Sequence, residues 1–162
     1  MNKITTCLWF DSQAEEAAKF YTSVFKDSKI TNTSYYGEAG HEIHGREAGS
    51  VMTVDFELNG NSFQALNGGP HFKFNEAVSL IINCEDQKEI DYYWERLSAD
   101  PKAEQCGWLK DKYGVSWQVV PREIGEMMNE RGIGNKERMM EALLKMKKLN
   151  IDELRKAYEG KS

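Results

Sequence analysis

The chain has 162 residues, a length that fits one domain or two half-domains sharing a core. A hydrophobic fraction of 40% is typical of a folded protein, and a chain of this length buries a sizeable core without disulfides or a structural metal. A net charge of −5 argues against nucleic acid as a partner, and no apolar run is long enough to cross a membrane.

Three widely spaced cysteines without a C-x-x-C pattern are typical of reduced thiols. The first residues carry no apolar segment of the secretory type. We therefore expect a cytoplasmic protein that has no membrane partner.

The first half of the chain predicts one strand, one helix and three further strands. Asp11 or Ser12 offers an N-cap, and Ser12 with Glu15 matches a capping box before an apolar stripe of helical spacing. Asn59-Gly60 is a strong signal for a two-residue hairpin. The predicted strands are residues 4–10, 29–36, 51–58 and 62–66, and a Gly-rich polar loop covers residues 37–49.

The second half repeats this order in a shorter form. Asp86 begins a helix, and a hairpin is predicted around Tyr113-Gly114. The predicted strands are residues 77–83, 105–110 and 115–120, with 102–105 as the one candidate for a further strand. Residues 123–129, 136–146 and 151–159 predict helices, the last capped by Asn150, that pack on the sheets or on a second subunit. The pattern indicates an α+β protein with a C-terminal helical tail.

Patterns that carry chemistry are sparse. No Gly-rich turn follows the first strand, which argues against a Rossmann-type cofactor site. His41 and His44 are spaced to share a metal, but two ligands alone make a poor zinc site, so we interpret them as polar loop residues. Cys106 has no assigned base, and a free cysteine is more often a small buried hydrophobe than a nucleophile.

Two glutamines on predicted strands leave alternatives open. Strand alternation puts Gln64 and Gln118 on the faces opposite their large apolar neighbours. They either face a cavity, where a polar amide finds partners, or point to solvent from a one-sided sheet. The strands also carry a large aromatic load, which includes Trp9, Trp108 and Trp117.

Several stretches together resemble one family. They are residues 7–10 with 14–21, residues 58–60 with 65–76, and residues 106–111 with 114–121; residues 145–148 and 151–154 fit as well. The chain resembles the PhnB-like family, labelled demethylubiquinone methyltransferase-like, within the vicinal-oxygen-chelate (glyoxalase and bleomycin-resistance) superfamily. The resemblance covers nearly the whole chain.

The resemblance implies two βαβββ modules that form a cupped mixed sheet, and commonly a homodimer. The implied domain is residues 1–125, with modules of about 1–70 and 71–125, followed by a tail at 126–162. Superfamily metal ligands carry over by strand register to Thr5 or Thr6, Gln64, Ser79 and Gln118. Neutral amides and a hydroxyl suit a divalent ion poorly, so a divalent metal is disfavoured and no cofactor is expected.

Three functions follow as hypotheses. The first is a metal-free protein that binds a small organic molecule in a largely aromatic cleft formed by Gln64, Ser79, Gln118, Trp9, Trp108 and His71. The second is an enzyme, either a divergent glyoxalase- or dioxygenase-like member or a methyltransferase, with catalytic residues that the sequence does not identify. The third is a purely structural dimer. Metal content of protein purified without chelator discriminates the first two, and titration with S-adenosylmethionine tests the methyltransferase label.

Overall fold

The computed structural model describes residues 3–129 and 133–161. Its backbone contacts divide the chain into two compact units, one ending at Phe74 and the other beginning at Asn75. Each unit contains its own sheet. The expected division at residue 125 into a domain and a tail stays a prediction.

The first unit is the predicted βαβββ module. Its sheet has the order β1-β4-β3-β2, with β1 parallel to β4 and the other pairs antiparallel. A short helix lies within the loop predicted for residues 37–49. The elements are β1 (Thr6–Phe10), α1 (Ala14–Val24), β2 (Lys29–Tyr35), α2 (His41–His44), β3 (Val51–Leu58) and β4 (Asn61–Asn67).

The core of the first unit lies between α1 and one face of the sheet. Phe56 and Ala65 alternate with less buried neighbours along β3 and β4. Ala17 and Ala18 are fully buried on α1, and their small side chains let the helix backbone approach the sheet closely. The predicted hairpin is present, because Asn59 (φ 47°) and Gly60 (φ 78°) both adopt the positive φ of a type I′ turn. This register aligns β3 and β4 so that one face is apolar and the other polar.

The predicted capping box at the start of α1 is wrong. Gln13 occupies the N-cap position and makes no side-chain cap. A residue from β4 serves instead, because Asn67 Oδ1 accepts a hydrogen bond of 2.8 Å from the amide of Ala14. Asn67 Nδ2 also donates to the carbonyl of Val51 at 3.0 Å. The helix end is therefore satisfied across the sheet rather than locally.

The second unit has a three-stranded sheet of order β5-β7-β6. Asp86 caps its helix as predicted, accepting a hydrogen bond of 2.9 Å from the amide of Glu89. The candidate strand at 102–105 does not form, because within the described part of the unit this segment makes only an isolated bridge from Gln105 to Trp108. The module is therefore βαββ, with elements β5 (Ser79–Cys84), α3 (Gln87–Leu97), β6 (Trp108–Lys110) and β7 (Ser116–Pro121).

A buried carboxylate organises the β6–β7 turn. Asp111 is 3% exposed, and its Oδ2 accepts a hydrogen bond of 2.8 Å from the indole of Trp117. Its Oδ1 accepts from the amides of Tyr113 at 2.9 Å and Val115 at 3.0 Å. These bonds fix the predicted turn and pin Trp117 on the buried face of the sheet.

The tail forms helices α4 (Arg122–Asn129), α5 (Ile133–Leu143) and α6 (Ile151–Glu159). Asn150 caps α6 as predicted, since its side chain accepts from the amide of Glu153 at 3.1 Å. The tail packs on the second unit: Gln87 Nε2 donates to the carbonyl of Leu149 at 3.1 Å, and the amide of Gly107 donates to the carbonyl of Lys147 at 2.8 Å. None of the helices in residues 3–129 and 133–161 is long and apolar enough to cross a membrane.

Candidate binding faces of the two sheets

The face of the first sheet opposite α1 carries a continuous row of polar side chains. The register pairs Cys7 with Gln64, Gln64 with Asp55, and Asp55 with Asn32. The row therefore crosses all four strands and presents a thiol, an amide, a carboxylate and a second amide in turn.

Two amides hold the carboxylate at the centre of this row. Gln64 Nε2 donates a hydrogen bond of 2.8 Å to Asp55 Oδ1, and Asn32 Nδ2 donates to Oδ2 at 3.3 Å. The bond orients the half-buried amide of Gln64 within the row and leaves its Oε1 as an acceptor. Gln64 is therefore neither a core residue nor a freely solvated one.

A hollow of about 630 Å³ lies against this face, within the size range of small-molecule sites. Its lining is mainly polar, in contrast to the aromatic cleft expected for the protein. The lining residues are Thr5, Cys7, Thr31, Asp55, Phe56, Glu57, Gly60, Ser62, Phe63 and Gln64. The hollow therefore offers carboxylate and amide oxygens as hydrogen-bond acceptors, beside the hydroxyls of Thr5, Thr31 and Ser62.

The thiol of Cys7 in this row has a raised pKa. Burial raises the pKa of Cys7, and the negative charge of Asp55 raises it further. Both effects favour the protonated thiol, whereas nucleophilic catalysis needs the thiolate. Cys7 is therefore suited to line the hollow rather than to react in it.

Trp9 and His71 lie in the first unit but not in the lining of this hollow. The indole of Trp9 donates to the carbonyl of Gly69 at 2.9 Å, and its ring packs edge-on against Phe72 with centroids 4.9 Å apart. The ring also lies against Gly68, where an added Cβ would come within 2.2 Å of it. Trp9 is thus fixed in place by the segment after β4, and His71 is an exposed residue of that segment.

The second sheet brings three of the predicted site residues together. Gln118 Nε2 donates a hydrogen bond of 2.8 Å to Ser79 Oγ, and Trp108 is the register partner of Gln118 on β6. All three are half-buried on the face opposite Trp117. The convergence of this group with the predicted residues of the first unit on one cleft stays a prediction.

The histidine pair of α2 stabilises its own loop. His41 Nδ1 lies 2.9 Å from the carbonyl of Arg46, and His44 Nδ1 accepts from the amide of Arg46 at 3.0 Å. Across residues 3–129 and 133–161, no three His, Cys, Asp or Glu side chains are grouped closely enough to hold a metal ion. The loop interpretation of this pair therefore accounts for its contacts.

The metal positions implied by the superfamily do not fit a divalent ion. The amide nitrogens of Gln64 and Gln118 donate hydrogen bonds to Asp55 and Ser79. Only the neutral carbonyl oxygens of the two side chains are then left as possible metal ligands. The hydroxyl of Ser79 is also neutral, whereas divalent ions prefer imidazole, thiolate or carboxylate ligands. We therefore derive no chemistry through a metal at these positions.

Asp55 is not among the site residues predicted above, although the sequence contains a signal for its position beside Gln64. A two-residue turn at Asn59-Gly60 makes Leu58 and Asn61 partners, so counting back along both strands pairs Asp55 with Gln64.

Comparison with known proteins identifies relatives over most of the chain. A family model described as 3-demethylubiquinone-9 3-methyltransferase matches residues 2–120. The PhnB protein of Bacillus cereus is 39% identical, with 74% of this chain and 99% of that one covered and a TM-score of 0.61. A Staphylococcus aureus protein is 32% identical, with 75% and 97% covered and a TM-score of 0.33.

A Pseudomonas aeruginosa protein is 16% identical, and the match covers 75% of this chain and 98% of that one. Its TM-score of 0.55 shows a shared fold. A search of curated proteins found no match. The tail beyond residue 120 lies outside the family match, so the resemblance noted there stays a prediction. Over residues 2–120 the match and the identity to PhnB are sufficient: the chain belongs to the 3-demethylubiquinone-9 3-methyltransferase-like, or PhnB-like, family.

Proposed function

We propose that this PhnB-like protein binds a small organic molecule on the polar face of its first sheet and uses no metal to do so. The observation that carries the proposal is the hollow of about 630 Å³ with the paired Asp55 and Gln64 in its lining. Small-molecule sites use a few precisely placed polar groups to orient the ligand, and the Asp55–Gln64 pair supplies such groups here. The expected cleft with Ser79, Gln118, Trp9, Trp108 and His71 is kept as the wider form of this proposal.

The chemistry of the hollow favours a ligand that donates hydrogen bonds. Asp55 and Glu57 contribute carboxylates, and Gln64 contributes its Oε1. Glu57 lies 3.5 Å from the ammonium of Lys29, an exposed pair that neutralises little of the acceptor character of the hollow. An amine or a hydroxyl group matches this lining better than an acidic group does.

Methyl transfer, the reaction that the family description names, is not the function we propose. In this chain β1 leads into α1 through Asp11, Ser12 and Gln13, without the glycine-rich turn on which a nucleotide-type cofactor rests. Calorimetric titration with S-adenosylmethionine tests the point directly. Heat of binding at millimolar cofactor would support the methyltransferase alternative.

The proposal is tested with benzylamine as the probe, toluene as its apolar analogue, and NMR spectroscopy as the measurement. Benzylamine is expected to shift the amide resonances of β1, β3 and β4, and Gln64→Ala is expected to weaken binding by about fivefold or more. Asn61→Ala, an exposed change on the same strand, is the matched control. Shifts scattered over the chain, or binding that Gln64→Ala leaves unchanged, would contradict the proposal.

Metal content separates this function from the enzyme alternative. Protein purified without chelator is expected to bind benzylamine equally well before and after exhaustive chelation. Stoichiometric Zn, Ni, Mn or Fe whose removal abolishes binding would favour a glyoxalase- or dioxygenase-like enzyme. We also propose that the protein is a cytoplasmic homodimer, and light scattering on the purified full chain tests the dimer.

A further inference from the structure

We infer that the second sheet carries a binding subsite for an oxyanion, of the carboxylate class, centred on Ser116. The register pairs Ser116 of β7 with Ser79 of β5 on one side and with Lys110 of β6 on the other. The three side chains form a row across the sheet, on the same face as Gln118. The two hydroxyls and the lysine side chain therefore start from neighbouring backbone positions on one face.

Ser116 is the unusual member of the row. The residue is 1% exposed, and its hydroxyl oxygen is buried without a hydrogen-bond partner among the described residues. It is also the one side-chain polar atom in the described part of the chain with that property. Burying an unpaired hydroxyl is unfavourable, and a water, an ion or a ligand group that accepts its hydrogen bond would remove that cost.

Ser79, the register partner of Ser116 on β5, also has a hydroxyl that can donate a hydrogen bond to a ligand. Ser79 Oγ accepts the hydrogen bond from Gln118 Nε2, and its own proton has no acceptor among the described residues. Since a serine hydroxyl has a single proton to donate, Ser79 and Ser116 together offer two O–H donors to one incoming oxygen group. Gln118 thus positions Ser79 as a donor.

Lys110 supplies the positive charge of the proposed subsite, and its partner within the protein is a carboxylate. Its ammonium forms an ion pair with the carboxylate of Glu76, which lowers the pKa of that carboxyl group chiefly through the hydrogen bond from Lys110. The Glu76 side chain is 63% exposed, whereas that of Lys110 is 23% exposed. Because the Glu76 end of the pair is exposed, a ligand carboxylate can compete for the ammonium, with the lysine side chain turned toward the two hydroxyls.

Trp108 narrows the class of ligand. It is the register partner of Gln118, one step along the same face from the row, and it is half-buried. An indole there offers an apolar surface beside the charged end of a ligand. An aromatic carboxylate matches both features, and benzoate is its smallest representative.

This inference goes beyond the proposed function. It shares Ser79, Gln118 and Trp108 with the wider cleft, but it shares no residue with the hollow on the first sheet. It would stand if the hollow on the first sheet bound nothing, and benzylamine binding would stand if this subsite bound nothing. The two proposals therefore fail independently.

The experiment is a calorimetric and NMR titration of the full chain with benzoate, with benzamide as the neutral analogue. We expect benzoate to bind with shifts on β5, β6 and β7, and to bind at least about tenfold more tightly than benzamide. Ser116→Ala and Lys110→Met are each expected to weaken benzoate binding by about tenfold, and Lys110→Met is expected to leave the affinity for the neutral benzamide unchanged. Glu76→Gln removes the competing carboxylate and is expected to tighten binding by about threefold.

Asn83→Ala, an exposed change on β5, is the matched control and is expected to leave the affinity unchanged. Lys110→Met keeps the test decisive if Ser116→Ala alters folding, because the lysine lies on a half-buried edge strand. Benzoate that binds no better than benzamide, that does not bind below ~10 mM, or whose affinity survives both variants would overturn the inference. A Ser116→Ala protein that melts at a higher temperature with unchanged benzoate affinity would make the serine a structural defect only.

Discussion

Gln118 and Ser79 are joined by a hydrogen bond of 2.8 Å from the amide nitrogen of β7 to the hydroxyl of β5. The two residues are not direct register partners, since Gln118 pairs with Ile81 and Ser79 with Ser116. The bond therefore runs diagonally across the parallel pair, and it fixes the orientation of both side chains on one half-buried face. This pair makes Gln118 a binding-face residue that is already satisfied within the protein.

Gln118→Ala is expected to change ligand binding more than stability. The variant removes one partly exposed hydrogen bond, which contributes about 1 kcal/mol, and it also releases the orientation of Ser79. Benzoate affinity and the urea midpoint of unfolding are the paired measurements. A large loss of stability with unchanged affinity would make Gln118 a structural residue.

Trp117→Ala is expected to change stability more than ligand binding. Trp117 is 3% exposed, and its truncation to alanine should lower the free energy of unfolding by about 3–5 kcal/mol. Trp117→Phe isolates the hydrogen bond to Asp111 and should lower the free energy of unfolding by about 1–3 kcal/mol, because the buried carboxylate loses one hydrogen-bond donor. An unchanged melting temperature in Trp117→Ala would refute the strand register.

Asn67→Ala should destabilise the first unit by about 2 kcal/mol. The variant leaves the amide of Ala14 and the carbonyl of Val51 without their partners at a buried position. Asn61→Ala, at the exposed start of the same strand, should stay within about 0.5 kcal/mol of the parent protein. Equal effects of the two variants in urea unfolding would show that the cap from β4 contributes nothing.

Asp55→Asn should lower the pKa of the Cys7 thiol. Burial remains the main cause of the raised pKa, and the charge of Asp55 is the secondary cause that the variant removes. We expect alkylation of Cys7 by iodoacetamide near neutral pH to accelerate by about twofold or more, because the thiolate is the reacting form. Peptide mapping in a Cys106→Ser background measures the rate, and an unchanged rate-against-pH profile would contradict the proximity of the two groups.

The free energy of unfolding should decrease at alkaline pH, and the ionisation of Cys84 should account for part of that decrease. Burial, followed by the charge of Glu89, raises the pKa of this thiol from 9.0 to about 12. Below pH 9.0 the thiol is protonated in both states, whereas between 9.0 and about 12 only the unfolded chain loses the proton. The free energy of unfolding should therefore decrease in that window by up to about 1.4 kcal/mol per pH unit.

Cys84→Ala is expected to remove this part of the alkaline slope while it lowers stability at neutral pH by a constant amount. Urea unfolding of both proteins near pH 8 and at about pH 10 and 11 provides the comparison. Parallel stability curves over that range would show that the thiol ionises as readily in the folded protein as in the unfolded chain.

Much of the secondary structure was readable from the sequence because its signals are local. Asn59-Gly60 predicted the type I′ turn, alternation predicted β3 over residues 51–58, and Asp86 and Asn150 predicted the starts of two helices. The quoted stretches also identified the family, which the match over residues 2–120 confirms. In each case the residues that carry the signal are neighbours in the chain, so the sequence holds the whole interaction.

Tertiary structure decided the features that depend on distant partners. Asn67 caps a helix that begins 53 positions earlier, and the candidate strand at 102–105 makes only an isolated bridge from Gln105 to Trp108. Ser116 looks ordinary in the sequence, and only its position between two strands leaves its hydroxyl buried and unpaired. The physical reason is that periodicity and capping act over a few residues, whereas burial and hydrogen-bond partners are set by which strands lie side by side.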